Sequence, residues 1–195
     1  MRMTSVEKWF VNRVSKGLDN NDRVLRQMRD VGIPPGRDLL EIGCGIGVVS
    51  AALAWEGHRV TATDIDAEQI RTARAMHPEG ERLRFLAADA ASLDFDDASF
   101  DVVVTQNALH HIPRWPDVVT EIGRVLRVGG YVFLLDLAIP PLLRGAAGMA
   151  SRVAGVYTAR ELSAAFEQSG MTQRRMRSLV ALDARIEAVF QRVPA

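Results

Sequence analysis

Leu39-Leu40-Glu41-Ile42-Gly43-Cys44-Gly45-Ile46-Gly47 is an apolar run that stops at an acidic residue and then turns on glycines at every second position. Val48-Val49-Ser50-Ala51-Ala52-Leu53-Ala54 follows with the composition of a helix. A strand, a glycine turn and a helix start, in that order, bring backbone close to a nucleotide-like ligand in α/β proteins. Glycine serves there because a Cβ would block the ligand or forbid the dihedrals. The same glycines would also serve tight packing of helix on strand, so the surroundings of the loop have to decide.

A dinucleotide loop has the pattern G-x-G-x-x-G and sets a pyrophosphate on the helix N-terminus. Here Gly43 and Gly45 fit, Val48 occupies the third glycine position, and Gly47 comes one residue early. Glu41 at the mouth of the loop would repel a pyrophosphate and favour a cation. S-adenosylmethionine meets these terms, with an adenosine, no phosphate, an ammonium and a sulfonium. The next strand, Arg59-Val60-Thr61-Ala62-Thr63-Asp64, ends in an acid 21 residues after Gly43. That is close to the ~20-residue spacing of a ribose-binding carboxylate. Two oxygens on one carboxylate accept both ribose hydroxyls. Asp66, with Gln69 three residues on, is the better helix cap, which leaves Asp64 for a ligand. A third strand, Arg84-Phe85-Leu86-Ala87, leads to Asp89 and Ala90. At the carboxyl end of a parallel strand, Asp89 would accept from an adenine amino group and the Ala90 amide would donate to a ring nitrogen; a plain turn aspartate fits the same position.

On these residues the chain resembles the class I S-adenosylmethionine-dependent methyltransferases, and most of all the small-molecule branch with a type-11 methyltransferase domain. The resemblance rests on LLEIGCGIG, VTATDIDAEQI, FLAADAASLDFDDASFDVVVTQNALHHI and RVLRVGGYVFLLD, over about residues 37 to 136. It resumes loosely at YTARELSAAFEQSGM. It implies transfer of a methyl group from S-adenosyl-L-methionine, with S-adenosyl-L-homocysteine as product. It also implies a cofactor site of Glu41, Gly43, Cys44, Gly45, Asp64, Ile65, Asp89, Ala90 and Asn107. One departure is Val128, where the family usually has proline before Gly129-Gly130; a small effect on turn stiffness is expected. The fold expected is α/β: a Rossmann-like, doubly wound, mostly parallel seven-stranded sheet with helices on both faces and an antiparallel C-terminal strand.

Size and composition agree. A chain of 195 residues, 48% hydrophobic, has the length of one ordinary domain and enough apolar chain for a core. The expected organisation is a single methyltransferase domain over 1–195. Residues 1–36 form a helical cover, 37–136 the cofactor-binding core, 137–157 a substrate lid, and 158–195 a C-terminal helix and strands. Cys44 is the only cysteine, so neither an internal disulfide nor a cysteine metal site is expected. The N-terminal stretch has no apolar signal core and no window reaches ~18 apolar residues. A cytoplasmic location without membrane insertion is expected. Net charge is zero, which speaks against a dedicated nucleic-acid binder. Charge is unevenly spread: residues 1–36 carry +3, 37–139 carry −7 and 140–195 carry +4. An acidic middle suits a cationic cofactor. Solvated surface accounts for the flanks equally well.

Along the chain, Thr4-Ser5-Val6-Glu7 opens a helix to about Val14. A second helix spans about Asn21 to Val31, broken by Pro34-Pro35-Gly36. Strands follow at 37–42, 59–64, 84–87, 100–105 and 130–136, alternating with helices, which implies a parallel sheet. Thr158-Ala159-Arg160-Glu161 opens a helix that ends near Gly170. Two strands are expected at about 171–180 and 184–192, although Arg185–Phe190 is ambiguous in period.

The fourth strand feeds Thr105-Gln106-Asn107-Ala108-Leu109-His110-His111-Ile112. Amino-group methyltransferases usually carry [D/N]-P-P-aromatic there, so that chemistry is disfavoured. His110 and His111 are candidates for a general base near neutral pH. Structural packing of one and solvation of the other is the alternative. Adjacent residues on a helix point about 100° apart, so the pair is not expected to share a metal, and none is proposed. Trp9, Phe10, Arg13, Arg144, Arg152 and Tyr157 are candidates to cover an apolar, anionic small-molecule substrate. Direct displacement at the sulfonium methyl needs alignment and exclusion of water above all. An NAD oxidoreductase is disfavoured by Val48 and by the absence of Tyr-x-x-x-Lys, with Lys8 and Lys16 the only lysines. A methyltransferase of RNA or protein, and a non-catalytic cofactor-binding protein, stay open.

Overall fold

A computed structural model describes residues 14–140, 155–178 and 185–194. The elements are α1 (Val14–Asp30), β1 (Asp38–Ile42), α2 (Val48–Trp55), β2 (Arg59–Asp64), α3 (Ala67–Met76), β3 (Leu83–Ala87), β4 (Phe100–Gln106), a 3-10 turn (Leu109–His111), α4 (Trp115–Val125), β5 (Leu126–Leu137), α5 (Ala159–Gln168), β6 (Met171–Ser178) and β7 (Arg185–Arg192). The strand order is β3-β2-β1-β4-β5-β7-β6 in a seven-stranded sheet. β1 with β2, β2 with β3 and β4 with β5 pair parallel, and β7 runs antiparallel to both β5 and β6. This is the mixed α/β sheet expected from the sequence. Two compact units divide the chain, residues 1–90 and 91–195.

In the first unit β3, β2 and β1 lie side by side, with Ile42 opposite Thr63 and Asp64 opposite Ala87. Leu39, Leu40 and Ile42 are all buried, as a strand covered on both faces requires. Gly47 has φ +80°, and a Cβ there would stand 2.6 Å from the Phe85 ring and 3.2 Å from the Ala73 Cβ. The last glycine of the loop is therefore a packing residue as much as a turn residue. Helix α1 is continuous from Val14, where a break before Asn21 was expected. A helix interior tolerates Gly17 at a cost of about 1 kcal/mol. It also stops earlier than the prolines: Gly32 takes φ +74°, Gly32 N–H bonds to the Arg29 carbonyl and Ile33 N–H to that of Met28. This is a Schellman cap, and Pro34-Pro35 merely follow it. The helix expected from Thr4 lies outside the described residues, apart from Val14, which belongs to α1.

In the second unit β4 pairs parallel with β5, and β7 lies between β5 and β6. The turn expected at Val128-Gly129-Gly130 is absorbed into β5 as an irregularity opposite Phe100–Val102. Gly129 takes φ +84° there, and exposed Val128 stands where the family's proline would stand. Thr158 and Glu161 form the expected capping box in both directions, and Gly170, at φ +76°, follows the helix end. Ile186 through Phe190 are all buried. A strand covered on both faces shows no alternation, which explains why its period was ambiguous. No helix of the described residues is long and apolar enough to cross a membrane.

Candidate active site

The glycine turn is laced to β2 by backbone. Gly43 N–H and Cys44 N–H both donate to the Thr63 carbonyl, at 2.8 and 2.9 Å. The Thr63 hydroxyl donates to the Glu41 carbonyl at 2.9 Å. Gly43 and Gly45 take φ +74° and +54°, a region that a side chain disfavours. Asp64 sits between this turn and α3. One of its oxygens accepts from Gly45 N–H and the other from Asp66 N–H, both at 2.9 Å. The carboxylate is thereby fixed at the carboxyl end of its strand.

Glu41 is 3% exposed and accepts a hydrogen bond from the Ser50 hydroxyl on α2. Burial pushes its carboxyl up to about 7; the Ser50 hydrogen bond opposes that rise and the charge of Asp64 adds to it. None of these influences is a cation. Burial also raises the Cys44 thiol well above its usual range, with Glu41 and Asp64 adding to the effect. Cys44 is thus a neutral, unreactive lining group. Two carboxylates beside a glycine turn form a donor set that lacks a positive charge. A ligand with an ammonium and a sulfonium supplies it, so S-adenosylmethionine fits these residues.

Ile65, next in the chain, is 59% exposed. Ala88 N–H bonds to the Asp64 carbonyl at 3.0 Å, which brings the end of β3, with exposed Asp89 and buried Ala90, beside that of β2. Asp66 caps α3 as expected, accepting from Glu68 N–H at 2.9 Å. The reciprocal partner expected in Gln69 differs: its side chain is buried and the amide nitrogen has no hydrogen-bond partner.

In the second unit, β4 ends at Gln106 and Asn107 takes φ +52°. Its N–H bonds to the Leu135 carbonyl at 2.7 Å. A left-handed non-glycine residue is a strained element of the kind found at functional sites. The 3-10 turn Leu109–His111 follows. Asp136, fully buried near the end of β5, accepts from Leu109 N–H at 2.8 Å and Leu137 N–H at 2.6 Å, and pairs with His110 Nδ1. The His110 side chain is 19% exposed. The two histidine rings, expected to point apart, lie 3.9 Å centroid to centroid and tilted by 42°. A tight turn of three residues, unlike a continuing α-helix, lets them lean together. Among the described residues no group of three or more His, Cys, Asp or Glu side chains is placed to hold a metal.

The structure places Tyr157 in the interior. It is fully buried, 4.9 Å from the Trp115 ring. Burial, and then the nearby Asp136 charge, raise its hydroxyl well above the usual range. Of the other substrate candidates, Trp9, Phe10, Arg13, Arg144 and Arg152 lie outside the described residues, as does most of the expected lid. Asp136 had not been singled out from the sequence. Its signal is an acid that follows the apolar run Tyr131–Leu135, as Glu41 follows Leu39-Leu40.

A glycine turn after β1, an acid closing β2 and a polar turn after β4 define a nucleotide-cofactor enzyme of the class I methyltransferase type. A family model described as a methyltransferase domain matches residues 40–134. An uncharacterized methyltransferase of Mycobacterium bovis is 35% identical over 137 residues, covering 66% of this chain and 69% of its own. The 27-O-demethylrifamycin SV methyltransferase of Amycolatopsis mediterranei is 40% identical over 123 residues, covering 60% and 45%. The solved structure of a SAM-dependent methyltransferase from Methanosarcina mazei shares the fold, with a TM-score of 0.72 at 23% identity over 86% of this chain and 98% of that one. The chain belongs to the class I S-adenosylmethionine-dependent methyltransferases, and its cofactor is S-adenosyl-L-methionine.

Proposed function

We propose that this enzyme methylates a hydroxyl oxygen of a small molecule, with His110 as general base. The observation that carries this is the His110–Asp136 pair. A buried carboxylate on Nδ1 fixes the orientation of the ring and leaves Nε2 as the nitrogen that takes a proton. A thiolate or a carboxylate acceptor would not need that proton removed. The relative from Amycolatopsis mediterranei is named for a small-molecule acceptor, 27-O-demethylrifamycin SV, and it covers 60% of this chain. The single cysteine, neutral and buried, is in keeping with a reducing, cytoplasmic setting.

The cofactor, when bound, supplies a methyl group already activated on a sulfonium. In this reading Gly43, Cys44 and Gly45 approach it with backbone, Glu41 offsets its positive charge and Asp64 accepts from its ribose. Ile65, Asp89, Ala90 and Asn107 line the remainder. His110 removes the acceptor proton through Nε2 while Asp136 holds the ring. The whole chain works as one methyltransferase domain.

The test is turnover of labelled S-adenosylmethionine against a panel of phenols, alcohols, carboxylic acids, thiols and amines, followed by His110→Ala on the best acceptor. Hydroxyl compounds should be methylated, and His110→Ala should lower kcat about 10²–10⁴-fold while leaving cofactor affinity in place. Methylation confined to thiols, amines or carboxylates, or full turnover in His110→Ala, would refute the assignment.

A further inference from the structure

The geometry points to Gly155 as a positioning residue for the His110–Asp136 pair, an inference that rests on the base assignment above. The short run 155–158 is bonded both to the histidine turn and to the chain just beyond Asp136. Gly155 N–H donates to the His110 carbonyl at 2.9 Å. Two residues on, the Tyr157 carbonyl accepts from Ile139 N–H at 2.9 Å, and Ile139 lies three residues beyond Asp136. One stretch of backbone therefore grips the histidine turn at one point and, at another, the chain two residues past the end of the aspartate strand.

The run is itself anchored. The Tyr157 ring is buried against Trp115 at the start of α4. Thr158 and Glu161 lock the next residue into the capping box of α5. Between these fixed points the approach to the histidine turn is too close for any side chain. A Cβ on residue 155 would overlap the carbonyl oxygens of Leu109 and Ile112, which are backbone atoms on either side of the two histidines. Neither oxygen can swing away as a side chain would. Gly155 is needed for this proximity and not for a left-handed dihedral, since its φ is not positive.

Leu109 has a second part. Its N–H donates to Asp136, the same carboxylate that holds His110 Nδ1. The Leu109 carbonyl and N–H belong to the two peptide groups joined at its Cα, so displacing the carbonyl turns the Leu109 backbone and with it the N–H that holds the carboxylate beside the ring. Any side chain at 155 thus acts on the ring's proton without touching ring, substrate or cofactor.

The experiment is imidazole ¹⁵N NMR on the full chain from pH 5 to 9, with His110→Asn to assign the ring and Asp136→Asn as a reference. In the wild type, neutral His110 should hold its proton on Nδ1. Gly155→Ala and Asp136→Asn should both shift that proton toward Nε2, whereas S-adenosylhomocysteine affinity in Gly155→Ala should stay within about twofold of wild type. If Asp136→Asn moves the proton and a folded Gly155→Ala does not, the inference fails and the base assignment survives. If neither moves it, both fail. Loss of S-adenosylhomocysteine binding in Gly155→Ala would reveal a general defect and overturn the local role. Should Gly155→Ala not fold, amide exchange in the wild type decides. Strong protection of the Gly155 N–H supports the brace, and exchange at the rate of an open amide overturns it.

Discussion

Glu41 makes both stability and cofactor affinity depend on pH, stability in the direction opposite to that of an ordinary carboxylate and affinity for a cation in the same direction. Its carboxyl titrates at about 7 in the folded chain against 4.5 for the ordinary group. The folded state therefore keeps a proton that the unfolded state has released between those values, and stability falls as pH rises through this window. It is fully present below 4.5 and fully lost above 7. At 1.36 kcal/mol per pH unit, a difference of that size corresponds to about 3 kcal/mol. The groups facing Glu41 are the Ser50 hydroxyl, Asp64 and Cys44, none of them cationic. Glu41→Gln keeps an acceptor for Ser50 and removes the titration. Denaturant unfolding of wild type and Glu41→Gln at pH 5, 6, 7 and 8 isolates the effect by difference. The variant should gain on the wild type steadily from pH 5 to 7 and hold its lead at pH 8. Binding of a cation pulls the Glu41 proton off, so affinity for S-adenosylmethionine should rise with pH through 7 in the wild type, with proton release in calorimetry, and change far less in the variant. A constant stability difference across the four pH values, with pH-independent affinity, would refute the reasoning.

Asp64→Ala should weaken S-adenosylhomocysteine binding by about 1–3 kcal/mol in calorimetry, through loss of charge-assisted bonds to the ribose and of the acceptor for Gly45 N–H. An unchanged affinity in a folded variant would remove Asp64 from the ribose. Gly47→Ala should lower stability by about 2–4 kcal/mol, from the left-handed φ and the collision with Phe85. In thermal melts Phe85→Leu should restore part of that loss, and a neutral Gly47→Ala would show that the contact is not tight.

The sequence made the first unit legible because its signals are local. An apolar run, alternate glycines and an acid at fixed spacing are all read within one βαβ stretch, and β1, β2 and β3 appear within a residue of their expected bounds. The second unit was less legible because its decisive contacts are distant in the chain. His110 and Asp136 are 26 positions apart, and no periodicity announces that a strand will place an acid against a turn formed earlier in the chain. Tyr157 is grouped with the substrate residues on sequence because it closes the expected lid segment 137–157. Its interior position depends on Trp115, which the sequence does not place beside it. Residues 15–20 of α1 failed for a different reason, since weak helix formers such as Ser15 and Gly17 do not end a helix that lacks a competing cap.

The placing of β7 between β5 and β6 has a consequence during synthesis. When β6 leaves the ribosome it has no neighbour, because the strand that joins it to β5 has yet to appear. Until Arg185–Arg192 arrives, β5 offers an open edge of unpaired amide and carbonyl groups beside Tyr131, Val132 and Phe133. The unit then closes in one late step that forms both antiparallel ladders together. A nascent chain paused before that step is the form most prone to self-association, and a chaperone that shields exposed strand edges has its greatest effect there.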